Sequence, residues 1–322
     1  MTTPLRWGII GTGGIAHKFA RDLEYVDALV EAVGSRSQES ADAFGDEFGV
    51  AKRYGSYQSV VEDPAVDVVY VATPHPMHHG NALLALEHDK PVLVEKPFTM
   101  TADQARELVA VARAKGLFLM EAMWTRFLPH VKAVRGLLAE GVLGDIVTVE
   151  ADHGQWFEKD PGFRLFAPEL GGGALLDLGV YPVSFASMVL GTPKSVTAVV
   201  TPAFTGVDAT TSMLFGYDSG AQAILTCTSL ARSETRASIV GSEGRLEIAG
   251  DFYSPSSFVL KLRNGTSEPF EFTTQGRGLH YQATEVARCL RSGELESPSM
   301  PLDESVSIME TMEKVLQSSL AK

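Results

Sequence analysis

Cysteine is nearly absent: Cys227 and Cys289 are the only two among 322 residues, and neither sits in a CxxC pair or a Cys/His ligand spacing. A disulfide framework and a structural zinc site are thereby excluded, and both thiols are expected to stay reduced. Positive charge is also in short supply. With 27 Lys and Arg against 40 Asp and Glu, the formal net charge is -13, so nucleic acid and anionic membrane surfaces are repelled at long range. Any phosphate the chain holds must be gripped locally. Long apolar runs are lacking too: no stretch is expected to reach the roughly 20 residues that cross a bilayer. The chain runs from Met1 through Arg6 into Trp7-Gly8-Ile9-Ile10 with no signal-peptide core, and a cytoplasmic protein is expected.

What is present is ordinary globular material, 45% hydrophobic and 21% charged, which rules out a disordered or collagen-like chain. The length exceeds what one core usually supports, so two domains are expected, residues 1–123 and 124–322. In the first, short apolar runs at 7–10, 29–33, 66–72, 91–94 and 117–120 alternate with helix-spaced segments at 41–48, 80–87 and 102–114. That alternation predicts a parallel sheet covered on both faces, a doubly wound α/β domain. After Trp124 the pattern changes to β-rich segments at 146–151, 195–200, 211–217, 221–228, 236–240, 245–248 and 258–262, with hairpin signals such as Asp218-Ser219-Gly220. Helices are predicted at 128–140, 174–189, 281–291 and 304–320, the last capped by Asp303. The second domain is therefore read as α+β with an open, mainly antiparallel sheet. An open sheet with apolar residues on its far face invites a homodimer.

Gly11-Thr12-Gly13-Gly14-Ile15-Ala16 forms a GxGxxA turn that follows an apolar strand and opens a helix. The first glycine permits the turn, the second lets backbone approach a pyrophosphate, and the helix N-terminus supplies N–H groups. This predicts a dinucleotide site. Where an NAD site usually carries an acid, the end of the second strand offers Ser35 and Arg36. A guanidinium suits a 2'-phosphate, so NADP is expected in preference to NAD. Glu95-Lys96-Pro97 ends another strand, and the carboxyl ends of such strands open onto the ligand crevice, which aims Lys96 at the site. The run from Gly171 to Gly173 leads to Asp177 and Tyr181, four apart and so on one face of a predicted helix.

Together these motifs resemble the glucose-fructose oxidoreductase and inositol dehydrogenase family over nearly the whole chain, which implies a Rossmann domain at the N-terminus. Residues 119–129 and 182–185 are especially similar to the dimeric dihydrodiol dehydrogenase branch, whose members use NADP to oxidise trans-dihydrodiols and D-xylose. The family's common pattern has His where Tyr181 stands; the dihydrodiol branch has Tyr. The resemblance implies that Lys96, after Glu95, lies beside the reacting carbon and the cofactor ribose. It also implies that Thr73, Pro74, His75 and His78 lie along the cofactor and that Arg164 reaches it from the second domain. The His75, His78 and His79 cluster lacks further ligands at metal spacing, so no metal is expected. Trp124, His153, Trp156 and Phe157 are candidates for the wall around a ring substrate.

Oxidising a secondary alcohol needs a base for the hydroxyl proton, and an unperturbed tyrosine titrates near 10. The expected arrangement has Tyr181 as acid/base, Lys96 as the cation that stabilises its phenolate, and Asp177 as the orienting group. Exchanging the roles of Tyr181 and Lys96 leaves the sequence argument unchanged. Competing readings are an NADPH-dependent reductase of a sugar ketone or aldose, or a sugar dismutase that retains its cofactor. A non-catalytic dinucleotide sensor is a different class, and it has no need of Lys96, Asp177 and Tyr181.

Overall fold

The computed structural model describes residues 3–320. Contacts divide the chain into two units, Met1–Phe127 with Gln275–Val306, and Leu128–Thr274 with Ser307–Lys322. A single boundary at 123/124 is what the sequence suggests; the first unit instead continues to Phe127 and regains a late segment. Periodicity reports local spacing, not which core a later helix joins, so such a return is invisible to it.

In the first unit, β1 (Leu5–Ile10), β2 (Ala28–Gly34), β3 (Lys52–Tyr54), β4 (Val68–Val71), β5 (Val92–Glu95) and β6 (Leu119–Ala122) form one sheet in the order β3-β2-β1-β4-β5-β6. Every pairing is parallel. Strands β4, β5 and β6 are buried along their whole length, as near-continuous apolar runs require. Five helices, α1 (Gly14–Asp22), α2 (Gln38–Phe48), α3 (Tyr57–Glu62), α4 (His78–Glu87) and α5 (Ala102–Lys115), connect them. Ser37, Ser56 and Thr101 start α2, α3 and α5 by accepting the N–H three residues on, at 3.2–3.3 Å. Neither β3 nor α3 was legible beforehand: β3 is a three-residue, half-buried strand at the end of the strand order, and α3 spans fewer than two turns. Trp7 meets Phe19 edge-on and Phe19 lies tilted against Tyr70 in the core, with ring centroids 5.0 and 4.1 Å apart.

The late segment is tied to this unit by buried polar bonds. Asp22, only 2% exposed, accepts the N–H of Arg277 at 3.0 Å and that of Leu279 at 2.7 Å. Leu119 at the start of β6 donates to the Leu295 carbonyl at 3.1 Å. Asp303 is not the cap of the last helix. It lies inside the first turn of Leu302–Leu320 and pairs with Arg113 at 2.9 Å.

In the second unit, α6 (Pro129–Ala139) precedes β7 (Ile146–Gly154). A π-turn at Leu175–Gly179 leads into α7 (Val180–Leu190). Strands β8 (Ser195–Pro202), β9 (Asp208–Gly216), β10 (Gln222–Thr228), β11 (Ala237–Gly241), β12 (Gly244–Ile248), β13 (Phe258–Leu262) and β14 (Ser267–Phe270) follow. The eight-stranded sheet runs β14-β13-β12-β11-β7-β10-β9-β8, and only β7 with β10 is parallel. Alternation along β9 and β10 buries Met213, Phe215, Ala223 and Leu225 on one face and leaves Leu214 and Ile224 exposed on the other. Strand β14 carries no apolar run, so no pattern announced it. Two expectations need correction here. The helix expected from Ala174 begins as a π-turn, and Pro168–Leu190 is long and apolar enough to match a bilayer span by composition, although 78% of its most apolar window is buried inside the protein.

Candidate active site

In the first unit the strand order reverses between β1 and β4, and a crevice opens at the carboxyl ends of the strands on either side of such a point. Gly11 leaves β1 with φ +102°, its N–H donating to the Gly34 carbonyl at 2.9 Å. A Cβ at Gly11 would lie 2.7 Å from the Ala72 carbonyl oxygen, so only glycine fits. A Cβ at Gly13 or Gly14 would meet nothing within 4 Å. Helix α1 therefore starts beside open space, with no side-chain cap and no acid in its first turn. Exposed backbone N–H groups and a positive helix end next to a void are what a pyrophosphate needs, so these residues fit a dinucleotide. Ser35, buried at the end of β2, places its hydroxyl 3.5 Å from that of Thr12 and accepts the Ser37 N–H at 3.4 Å. Arg36 is exposed and reaches the hydroxyl of Tyr57, whose pKa burial raises against the pull of the guanidinium.

Two further strand ends meet at His78. Its Nδ1 is 2.8 Å from the Pro97 carbonyl oxygen and its Nε2 is 2.9 Å from that of Thr73. Both carbonyls only accept, so the neutral ring donates to one of them while packed between the segment after β4 and the residue that follows Lys96, across a cis Lys96-Pro97 bond. Asn81 adds a bond to the Thr73 hydroxyl at 3.1 Å. Pro74 precedes a short 3-10 turn at His75–Met77, and His75 stands edge-on to His78 with ring centroids 5.7 Å apart. Glu95 is buried and accepts from Tyr70 Oη at 2.5 Å, while Lys96 is half-buried. Burial, with the Lys96 charge adding to it, pulls the fully buried His78 down to about 4. Trp124 belongs to this unit and is buried. Among the described residues no group of three His, Cys, Asp or Glu side chains is arranged to hold a metal.

In the second unit, Asp177 lies in the π-turn and Tyr181 one residue into α7, both buried. The turn that carries Asp177 is closed by i to i+5 bonds and passes directly into α7, which carries Tyr181. Arg164 pairs with Asp177 at 2.9 Å. Asp208, at the start of β9, accepts the Leu175 N–H at 2.6 Å and occupies the space a Cβ at Gly173 would fill, where φ is +128°. Burial pushes Asp208 upward against the N–H groups of Leu175 and Ala174.

His153, 1% exposed, packs edge-on to Tyr181 at 5.3 Å and stacks on Tyr253 at 4.3 Å, with Tyr181 and Tyr253 4.7 Å apart. The Leu178 carbonyl 3.1 Å from His153 Nδ1 can only accept, so Nδ1 carries a proton. The Gln155 amide then donates to Nε2 at 2.9 Å and reaches the Tyr253 hydroxyl at 3.2 Å. Trp156 is 66% exposed, and Phe157 stacks on Phe163. The sequence reading missed Tyr253, Gln155, Asp208 and Asn81. Gln155 follows His153 by two in the same run and Asn81 follows His78 by three on one helix, the two local signals available; Asp208 and Tyr253 are brought in by distant chain.

A doubly wound parallel sheet with this loop at its switch point defines a dinucleotide-binding unit of oxidoreductase type. Residues 5–123 match the family described as oxidoreductase family, NAD-binding Rossmann fold, and residues 131–247 match the GFO/IDH/MocA C-terminal domain. The chain belongs to this GFO/IDH/MocA oxidoreductase family. It is 38% identical to trans-1,2-dihydrobenzene-1,2-diol dehydrogenase of Xenopus tropicalis, over 97% of each chain. It is 36% identical to D-xylose 1-dehydrogenase (NADP(+)) of Hypocrea jecorina, over 97% of this chain and 91% of that one. Among solved structures it resembles a 3-ketoreductase from Actinomadura kijaniata in complex with NADP and TDP-benzene, at a TM-score of 0.86, 30% identity and 98% coverage of both chains. An aldose-aldose oxidoreductase from Caulobacter crescentus gives a TM-score of 0.90 at 25% identity, covering 99% of this chain and 98% of that one.

The His78 clamp has a signed pH consequence. A histidine whose folded pKa is depressed contributes stability that is fully present above its unfolded value near 6.5 and is lost as pH falls toward the folded value of about 4. Chemical denaturation should show the wild type losing about 2 kcal/mol from this group between roughly pH 6.5 and 4.5. His78→Gln should lack that part of the acid loss. An unchanged acid dependence in the variant contradicts the assignment.

Proposed function

We propose that this chain is an NADP-dependent dehydrogenase that oxidises a secondary hydroxyl of a trans-dihydrodiol or pentose-like sugar to a carbonyl. The observation that carries the reading is a pair of prepared groups: a half-buried lysine just after β5, in the unit that bears the glycine loop, and a buried tyrosine four residues after the buried Asp177 in the other. NADP held at the Gly11–Ile15 loop would supply the hydride acceptor for the carbinol carbon. Tyr181 takes the hydroxyl proton, Lys96 stabilises the phenolate that doing so requires, and Asp177, held by Arg164, orients the site. Thr73, Pro74, His75, His78 and Glu95 support the cofactor side. Ser35 and Arg36 favour the 2'-phosphate, in keeping with relatives named for NADP. Around Tyr181 the wall is aromatic with polar edges from His153, Gln155 and Tyr253, which suits a hydroxylated ring.

Reduction of a sugar ketone by the same residues, with Tyr181 donating the proton, is a second reading favoured by the likeness to a 3-ketoreductase. Initial rates in both directions with dihydrodiols, pentoses and keto sugars separate the two.

We further propose a homodimer through the outer face of the eight-stranded sheet. Val199, Leu214 and Ile224 are 58%, 46% and 45% exposed there. Beside Ile224 a groove is lined by Glu150, Arg236, Arg245 and Glu247. A patch carrying both signs of charge around apolar residues is self-complementary, as a two-fold contact demands.

NADP should bind at least about tenfold tighter than NAD, and Arg36→Ala should erase most of the difference. Tyr181→Phe should lower turnover at least about a hundredfold while cofactor affinity stays near wild type. Equal affinity for the two cofactors, by calorimetry, or near-normal turnover in Tyr181→Phe contradicts the respective assignment. Light scattering at micromolar concentration should give twice the chain mass, and Ile224→Glu should shift it toward the monomer. A monomeric wild type contradicts the interface.

A further inference from the structure

Glu121 is a buried carboxyl that the hydride-transfer chemistry does not use. It is the third residue of β6, paired in register with Val94 of β5, while its neighbour Ala122 faces Glu95, the residue before Lys96. The side chain is 1% exposed. Oε1 accepts the backbone N–H of Phe98, two residues beyond Lys96, at 3.2 Å. Oε2 is buried and meets no partner in good hydrogen-bond geometry; the Ser305 hydroxyl faces the carboxyl and is the one group near enough to stabilise its charge from that side. The charged groups acting on it are Arg126 and Glu304, themselves paired at 2.7 Å. A half-satisfied carboxyl in the interior is costly, and its placement against one particular backbone N–H calls for a reason.

We propose that Glu121 is a positioning residue for Lys96: by holding the Phe98 N–H it fixes the turn that carries the lysine, and its protonation sets how firmly that turn is held. An ionised carboxylate accepts a hydrogen bond about twice as strong as a neutral one, so loss of its charge loosens the segment between β5 and α5. Burial, with a smaller push from the Glu304 charge, drives this carboxyl up, while the Ser305 hydroxyl, Arg126 and the Phe98 N–H pull it down, and the balance lies at about 7. The grip on the turn therefore changes within the physiological range. Nothing exposed needs to titrate for this to happen.

The inference rests on Lys96 acting beside the reacting carbon, and the test separates the two. Glu121→Gln keeps a carbonyl oxygen for the Phe98 N–H and removes only the charge. With the best alcohol substrate and NADP, wild-type kcat/KM should rise about fivefold across a limb centred near the Glu121 value of about 7, with NADP affinity nearly constant. In Glu121→Gln the limb should vanish and kcat/KM stay near the acid-side level. Persistence of the same limb in the variant, or a flat wild-type profile, overturns the role of Glu121. Should the variant not fold, carboxyl carbon NMR of the glutamate-labelled wild type decides: one resonance titrating near neutrality supports the proposal, and none above about pH 6 overturns it. Lys96→Met with full turnover overturns the reading of Lys96 instead, whatever Glu121 does.

Discussion

Where β1 ends, the Ala72 carbonyl oxygen stands 2.7 Å from the place a Cβ of Gly11 would take, and everything on the cofactor side follows from that crowding. Only glycine can turn there, with φ +102°, and turning there points the start of α1 across the ends of β1 and β4. Because β1 and β4 are neighbours in register, their carboxyl ends come out together, and β5 lies next to β4. One strand order thus brings the glycine loop, the uncapped start of α1 and the lysine after β5 to the same edge of the sheet. His78 and Glu121 then flank the segment after β5, at the Pro97 carbonyl and the Phe98 N–H.

The second unit solves a similar problem by other means. A carboxylate from β9 fills the space beside Gly173 and holds the first N–H groups of the π-turn, so that the chain carrying Asp177 and Tyr181 starts from a fixed point. The Leu178 carbonyl inside that turn sets the tautomer of His153, and His153 with Tyr253 packs against the Tyr181 ring. Packing on two sides fixes the plane of the Tyr181 ring.

Much of this was legible in the residues before any coordinates. Apolar runs such as Val68 to Val71, buried along their whole length, read correctly as parallel strands, and the glycine fingerprint read correctly as a strand-turn-helix unit. The hairpin at Gly220 was likewise marked by its turn residues. What escaped depends on distance along the chain. Asp22 recruits Arg277 and Leu279 from more than 250 residues away, Asp208 caps a turn 33 residues before it, and Tyr253 joins His153 from 100 residues on. No local spacing encodes those meetings. The π-turn escaped for another reason: the same apolar residues satisfy an α-helical pattern equally well, and the difference lies in how the backbone packs around Asp208. Glu121 lies within the 119–129 run, but a glutamate in an apolar strand shows its isolation only once its surroundings are known.

The central claim is that Lys96 and Tyr181 perform one proton transfer together. A double-mutant cycle on kcat with a saturating alcohol and NADP tests it most directly, using Lys96→Met, Tyr181→Phe and the pair. Groups that act as one unit lose their function when either is removed, so the double variant should be no more than about threefold slower than the slower single one. Losses that multiply, with each substitution costing its full factor in the presence of the other, would mean that the two residues act independently and that the shared proton transfer is wrong.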